Sequence, residues 1–318
     1  MTLPSAATRV EVSAAELRRG SSAVRVRVAP GAPILAFEVE GHDWCELGPW
    51  QDYAPTAGAC ALPTFVAGAP GETFPEGGVL AAEEPTVDVR ADGAGGSITA
   101  WWAPSPFPLG WTRVVSLDAD GALCLRYMVT NAQRAPLPFV WGLPIPLPWS
   151  AATLVDLPRG ARSRVEQTFG EGLPAAGSEF AWPALRDGGR LVDLTHPAQL
   201  GTRRAVLCYV ELPRARFALC VGDRVLEVTG DAGMLTHARV WISHDADGGP
   251  TGRRWWRRRE SRRAISVGPA VGAPGRLSDA VGAWRTARWV EPGETIRWDV
   301  RLRSMSAPAE SSSGPSGA

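Results

Sequence analysis

The chain has 318 residues, 45% apolar and 21% charged, enough to build a real core in one large domain or two smaller ones. Its 33 basic and 33 acidic side chains cancel, so no whole-protein field draws it to nucleic acid or to an anionic membrane surface. Every basic residue is arginine and none is lysine, which excludes Schiff-base lysine chemistry and a phosphate-loop lysine, and fits a GC-rich bacterial genome.

The N-terminus, MTLPSAATRVEVSAAEL, has no basic region followed by an apolar core, so no signal peptide is expected. No run of eighteen apolar residues predicts a membrane span. SAAELRRG, Ser13 to Gly20, carries a Ser cap and a closing Gly and predicts one short helix in an N-terminal extension of residues 1–22. After it the pattern alternates. SAVRVRVAP puts Val24, Val26 and Val28 on one face and Arg25 and Arg27 on the other. GALCLRYMVTN and TIRWDVRLR repeat that period of two, and RAVLCYVEL, RFALCVG and ARVWIS are further runs of strand length. Turn signals such as Asp120-Gly121 and Gly188-Gly189 separate them. The expectation is a single all-β domain, a sandwich or barrel, over residues 23–303, followed by a disordered Ser/Gly/Pro tail at 304–318.

Three further stretches carry information. FVWGLPIPLPW, residues 139–149, alternates proline with Leu and Ile; proline lacks an amide hydrogen, so this stiff apolar hook is expected to be neither helix nor inner strand. RRWWRRRESRR, residues 253–263, interleaves Arg and Trp; a hairpin with Arg stems packed over Trp rings is favoured over a nucleic-acid or phosphate surface. VWISHDADGG ends a strand on His244, Asp245 and Asp247 before a Gly-Gly turn, where titratable groups can line a cavity mouth. The other histidines, His42, His196 and His237, stand at no metal-ligand spacing, and no metal or cofactor is expected. Cys45, Cys60, Cys124, Cys208 and Cys220 are odd in number and form no CxxC pair, which predicts reduced thiols in a cytoplasmic protein.

Three segments together resemble the aldose 1-epimerase family, the galactose mutarotase-like group. They are GWTRVVSLDADGALCLRYMVTNAQRAPLPFVWGLPIPLP, ARVWISHDADGG, and RAISVGPAVGAPGRLSDAVGAWRTARWVEPGETIRWDVRLR, in the family's order and spacing. The resemblance implies a large antiparallel β-supersandwich with a shallow sugar cleft. It also implies chemistry at the anomeric carbon, with a histidine as general acid on the ring oxygen and a glutamate as general base on the anomeric hydroxyl. Carried over by position, a first binding histidine falls near Gly77, the acid at Leu143 or Pro144 and the base at Gly268; none of these residues transfers a proton.

The resemblance therefore implies a sugar or sugar-derived small-molecule ligand held by an altered site. His244 with Asp245 is the expected replacement catalytic pair, with Glu76 as another candidate acid or base. Trp141 and Trp149 are expected to stack on a sugar ring, beside the hook residue Pro144 and Gly268; Trp101 and Trp102 are further stacking candidates, against core packing for any of them. Two alternatives stand beside this: a cleft repurposed for a more apolar ligand, as in natural-product biosynthesis, and a scaffold without a ligand. Neither nucleic acid nor membrane is an expected partner, and the chain is expected to be a monomer or homodimer.

Overall fold

A computed structural model describes residues 14–45, the backbone of 65–67, residue 80, and residues 83–90, 96–103, 108–245 and 263–306. The strands run in order as β1 (Ala14–Arg19), β2 (Ser22–Arg27), β3 (Ile34–Val39), β4 (His42–Asp43), β5 (Phe65–Ala67), β6 (Thr86–Arg90), β7 (Ser97–Trp102) and β8 (Leu109–Leu117). They continue as β9 (Leu123–Asn131), β10 (Leu137–Gly142), β11 (Ile145–Leu147), β12 (Thr153–Asp156), β13 (Arg162–Phe169), β14 (Glu179–Ala181), β15 (Ala184–Asp187) and β16 (Arg190–Asp193). The last are β17 (Arg204–Glu211), β18 (Arg216–Val221), β19 (Arg224–Gly230), β20 (His237–His244), β21 (Arg263–Val271), β22 (Arg288–Val290) and β23 (Thr295–Ser306), with a short helix α1 (Leu277–Val281) between β21 and β22. Every strand run read from the alternation of the sequence is a strand here, and Asp120-Gly121 and Gly188-Gly189 lie in the β8–β9 and β15–β16 connections.

The strands form two large antiparallel sheets. One has the order β14-β13-β17-β20-β21-β10-β22, with β11 also on β21 and β5 on β10; the other has the order β12-β18-β19-β23-β9-β8-β7-β6. A four-stranded sheet, β1-β2-β3-β4, and the β15–β16 hairpin complete them. The expected helix over Ser13–Gly20 is instead β1, paired with β2 from Ala14↔Arg27 to Arg19↔Ser22. Leu17 is buried between exposed neighbours there, so burial on a period of two overrides the capping signal. β23 runs on to Ser306, and Trp44 Nε1 donates to Ser304 Oγ at 2.9 Å.

An aromatic core joins the two large sheets. Tyr127 stacks on Trp298 with centroids 5.4 Å apart, and Trp111, Phe139 and Trp141 pack around them. Burying a side chain of this size stabilises by roughly 4–6 kcal/mol at about 25 cal/mol per Å². Phe139 and Trp141 come from the first sheet and Trp111, Tyr127 and Trp298 from the second, and Val206, Cys208, Val240, Ile242, Ile265 and Val267 are buried on the core face of the first.

The hook is built into this sheet: Trp141 and Gly142 pair on both sides, against expectation, while β11, which carries Pro146, pairs with β21 alone. β10 pairs with β21 at Trp141↔Val271 and Gly142↔Ala270, and β11 pairs with it at Ile145↔Val267, Pro146↔Ser266 and Leu147↔Ile265. Both pairings keep one register, so Leu143 and Pro144 lie opposite Pro269 and Gly268. The prolines are tolerated because they miss the rungs that carry the ladder. Leu143 N–H donates to the Pro269 carbonyl at 3.0 Å, and Pro269, having no N–H, returns nothing. The chains close up at that point. A Cβ at Gly268 would overlap the Leu143 carbonyl oxygen and stand 2.7 Å from its carbon and 3.1 Å from Pro144 Cα. Only glycine fits, because the atoms in the way are backbone. Gly268→Ala is expected to cost about 3 kcal/mol or more by overpacking, read as a lowered midpoint in urea unfolding with an unchanged slope.

Candidate functional site

The sheet containing β13, β17, β20 and β21 has a second face, turned away from the core. Period-two alternation puts three rungs on it. Glu211, His237 and Ala270 form the first, Tyr209, Arg239 and Gly268 the second, and Leu207, Trp241 and Ser266 the third. Segment 272–287 covers part of this face: Trp284 packs on Tyr209 at 6.0 Å, and α1 packs on Val140.

β13 puts Arg164 opposite Tyr209 on the middle rung and a carboxyl group, Glu166, just beyond it. Its register against β17 shifts between Val165 and Gln167, so Glu166 is the extra residue of a bulge, a device that re-aims a side chain. Glu166 keeps part of its stem exposed, but its Oε2 is buried and has no hydrogen-bond partner. Burial pushes its carboxyl above the usual range; Arg239 and a hydrogen bond from the Gly275 backbone pull it down, and Asp279 adds to the rise. Tyr209 is 2% exposed and within electrostatic reach of both Glu166 and Arg239. Burial first, then the Glu166 charge, holds its phenol protonated. Its hydroxyl is in loose hydrogen-bonding contact with both the Glu166 carboxyl and the Arg239 guanidinium, and Ser266 Oγ on the next rung is buried without a partner. Buried polar atoms left this way cost about 1–3 kcal/mol each. Arg164 lies 4.3 Å over the Trp284 ring and closes the side of the group.

The first rung opens into a pocket of about 530 Å³ bounded by residues 158–162, 211–213, Thr236 and His237. His237 Nδ1 lies 2.9 Å from Thr236 Oγ, and its ring meets Tyr209 edge-on at 6.4 Å. Burial, helped by the nearby Arg162 charge, lowers its pKa to about 4, so the imidazole is neutral at pH 7. Among the described residues no group of three His, Cys, Asp or Glu side chains is placed to hold a metal ion.

The residues expected from sequence divide as follows. Leu143, Pro144 and Gly268 are brought together, as backbone packed on backbone. His244 and Asp245 are together as well, with Nε2 to Oδ2 3.8 Å, but elsewhere. His244 Nδ1 faces the Leu200 carbonyl at 2.6 Å and its ring lies 4.8 Å from Trp149, while Asp245 meets Arg263 at 3.3 Å. His244 is five residues along β20 from Arg239, the partner of Gly268, which is about 17 Å and the opposite face. Trp141 is fully enclosed in the aromatic core and offers no ring face to a ligand. Trp101 and Trp102 lie on β7 of the other sheet, and Glu76, Gly77, Asp247 and 253–262 lie outside the described residues.

Glu166, Tyr209, Arg239 and His237 were not singled out by the sequence reading. A signal existed for two of them. In RAVLCYVEL and ARVWIS a phenol and a guanidinium occupy the face that alternates with Cys208 and Val240, inside otherwise apolar strands. The bulge that presents Glu166 has no mark in the local sequence.

No protein-family model matches the chain, and no curated protein matches it in sequence. Solved structures do. The Slr1438 protein from Synechocystis sp. PCC 6803 aligns with a TM-score of 0.66 at 10% identity, over 96% of this chain and 100% of that one. A galactose mutarotase related enzyme from Lactobacillus acidophilus aligns at 0.60 and 13%, over 93% and 99%. An aldose epimerase homologue from C. elegans aligns at 0.59 and 9%, also over 93% and 99%.

The raised Glu166 carboxyl makes a signed prediction. The unfolded chain releases this proton at the ordinary pKa, 4.5, while the folded chain holds it longer, so the native state loses stability as pH climbs from that value to the raised one. Glu166→Gln removes the loss: in thermal melts the variant should gain on the wild type as pH rises above 4.5, and a constant difference would contradict the assignment.

The end-to-end match to these structures at low identity establishes the architecture: the chain has the galactose mutarotase-like β-sandwich fold.

Proposed function

We propose that this protein binds a carbohydrate on the outer face of the β13–β17–β20–β21 sheet, and that Leu143, Pro144 and Gly268 take no part in proton chemistry there. One observation carries the reading: a carboxyl, a phenol and a guanidinium, Glu166, Tyr209 and Arg239, are coupled beside the partly exposed ring of Trp284. A sugar presents hydroxyls that both donate and accept beside apolar C–H faces, and this combination of groups matches both. The names of the similar structures, a galactose mutarotase related enzyme and an aldose epimerase homologue, point to the same ligand class.

A second reading, a sugar carrying an apolar substituent, is favoured by the rung below, where Leu207 and Trp241 replace the polar groups. Phenyl β-galactoside should then outcompete galactose.

Saturation-transfer NMR with D-galactose and D-glucose tests the binding. Transfer to at least one sugar is expected, and Arg239→Ala should weaken it about 10- to 100-fold, the loss of a charged hydrogen bond. No transfer to either sugar, or equal transfer in the variant, would sink the proposal.

A further inference from the structure

β6 ends the eight-stranded sheet. It pairs with β7 along one edge, from Thr86↔Trp101 to Arg90↔Ser97, and among the described residues no strand pairs with its other edge. Period two puts Val87 and Val89 on the core face, opposite the buried Ala100 and Ile98, and Thr86, Asp88 and Arg90 on the outer face with Trp101. The core covers the first of these valines and stops short of the second. Val87 packs against the main cluster, while Val89 is 48% exposed. An open row of backbone donors and acceptors beside an uncovered valine is a template for one more strand.

We propose that this edge pairs, antiparallel, with β6 of a second copy of the chain, about a two-fold axis through Val89. The sequence of the strand selects both the partner and the register. A two-fold axis perpendicular to the sheet keeps both core faces on one side, and it sets one residue opposite itself. An axis at Asp88 or at Arg90 opposes like charges, and one at Thr86 sets Asp88 against Glu84. An axis at Val87 sets Val89 against Pro85, which has no N–H to give. The axis at Val89 sets Val89 on Val89 and, on the outer face, Asp88 against Arg90 twice. Within each chain Arg90 Nε already holds Asp88 Oδ2 at 2.9 Å, in solvent-exposed geometry. Paired copies bring these four charges into a square of alternating sign. Charges on an edge strand ordinarily repel a neighbour; these two complement their own copies.

The contact is small. Five residues a side fall well short of the roughly 20–30 of a standard interface. The dimer therefore exchanges with monomer, with a dissociation constant between about 10 μM and about 1 mM.

Sedimentation velocity of the full chain from about 10 μM to about 1 mM tests this. The sedimentation coefficient should climb with concentration from monomer toward dimer. Val89→Glu places two carboxylates on the axis and should keep the chain monomeric throughout. Asp88→Arg and Arg90→Asp should each weaken association about 10-fold or more, and an equimolar mixture of the two should recover it, because each then pairs only with the other. Under mild oxidation Val89→Cys should give a disulfide-linked dimer that the wild type, with its own cysteines, does not give. These positions lie at an exposed edge, so the variants keep the fold. A wild type that stays monomeric at the highest concentration overturns the proposal. So does a dimer that Val89→Glu leaves intact, or charge variants that fail to rescue one another, since such an association uses another surface.

Discussion

The meeting of the Leu143 carbonyl with the α-carbon of Gly268 is the constraint on which this site rests. It exists because Pro269 has no amide hydrogen to offer, so Leu143 forms one bond of a rung that ordinarily holds two. The backbones close the gap, and glycine is the residue that permits it. The apolar hook of residues 139–149 is held against β21 by this contact, with Phe139 and Trp141 turned into the aromatic core and Val140 turned out under α1. No side chain has room at position 268, so the polar groups beside it come from neighbouring strands.

Those strands bring titratable side chains close together on this face. Tyr209 and Arg239 are direct cross-strand partners, Arg239 and Gly268 are the next pair, and the β13 bulge adds Glu166 from the other side. Burial of this group under segment 272–287 sets its electrostatics. The carboxyl and the phenol are both pushed toward their neutral forms, and Arg239 moderates the carboxyl.

Much of the architecture was legible because strand burial writes itself into the sequence with a period of two. SAVRVRVAP, GALCLRYMVTN and TIRWDVRLR each show buried and exposed faces directly. SAAELRRG misled because caps are local signals and β1 is fixed by tertiary pairing with β2. The hook misled because proline forbids particular hydrogen bonds, and whether those bonds are needed depends on a partner strand far away in sequence. The site was harder still. His244 and Asp245 stood out as neighbouring titratable residues, yet strand alternation turns His244 to the opposite face from Gly268. Glu166, Tyr209 and Arg239 are separated by dozens of residues and meet only through sheet order and a bulge.

The most direct measurement is a crystal structure of the protein soaked with galactose. The account predicts sugar density against Glu166, Tyr209 and Arg239, with a ring hydroxyl within hydrogen-bond distance of the Glu166 carboxyl. Sugar lodged instead beside His244 and Trp149, or this face sealed by its own side chains with no sugar on it, would contradict the account.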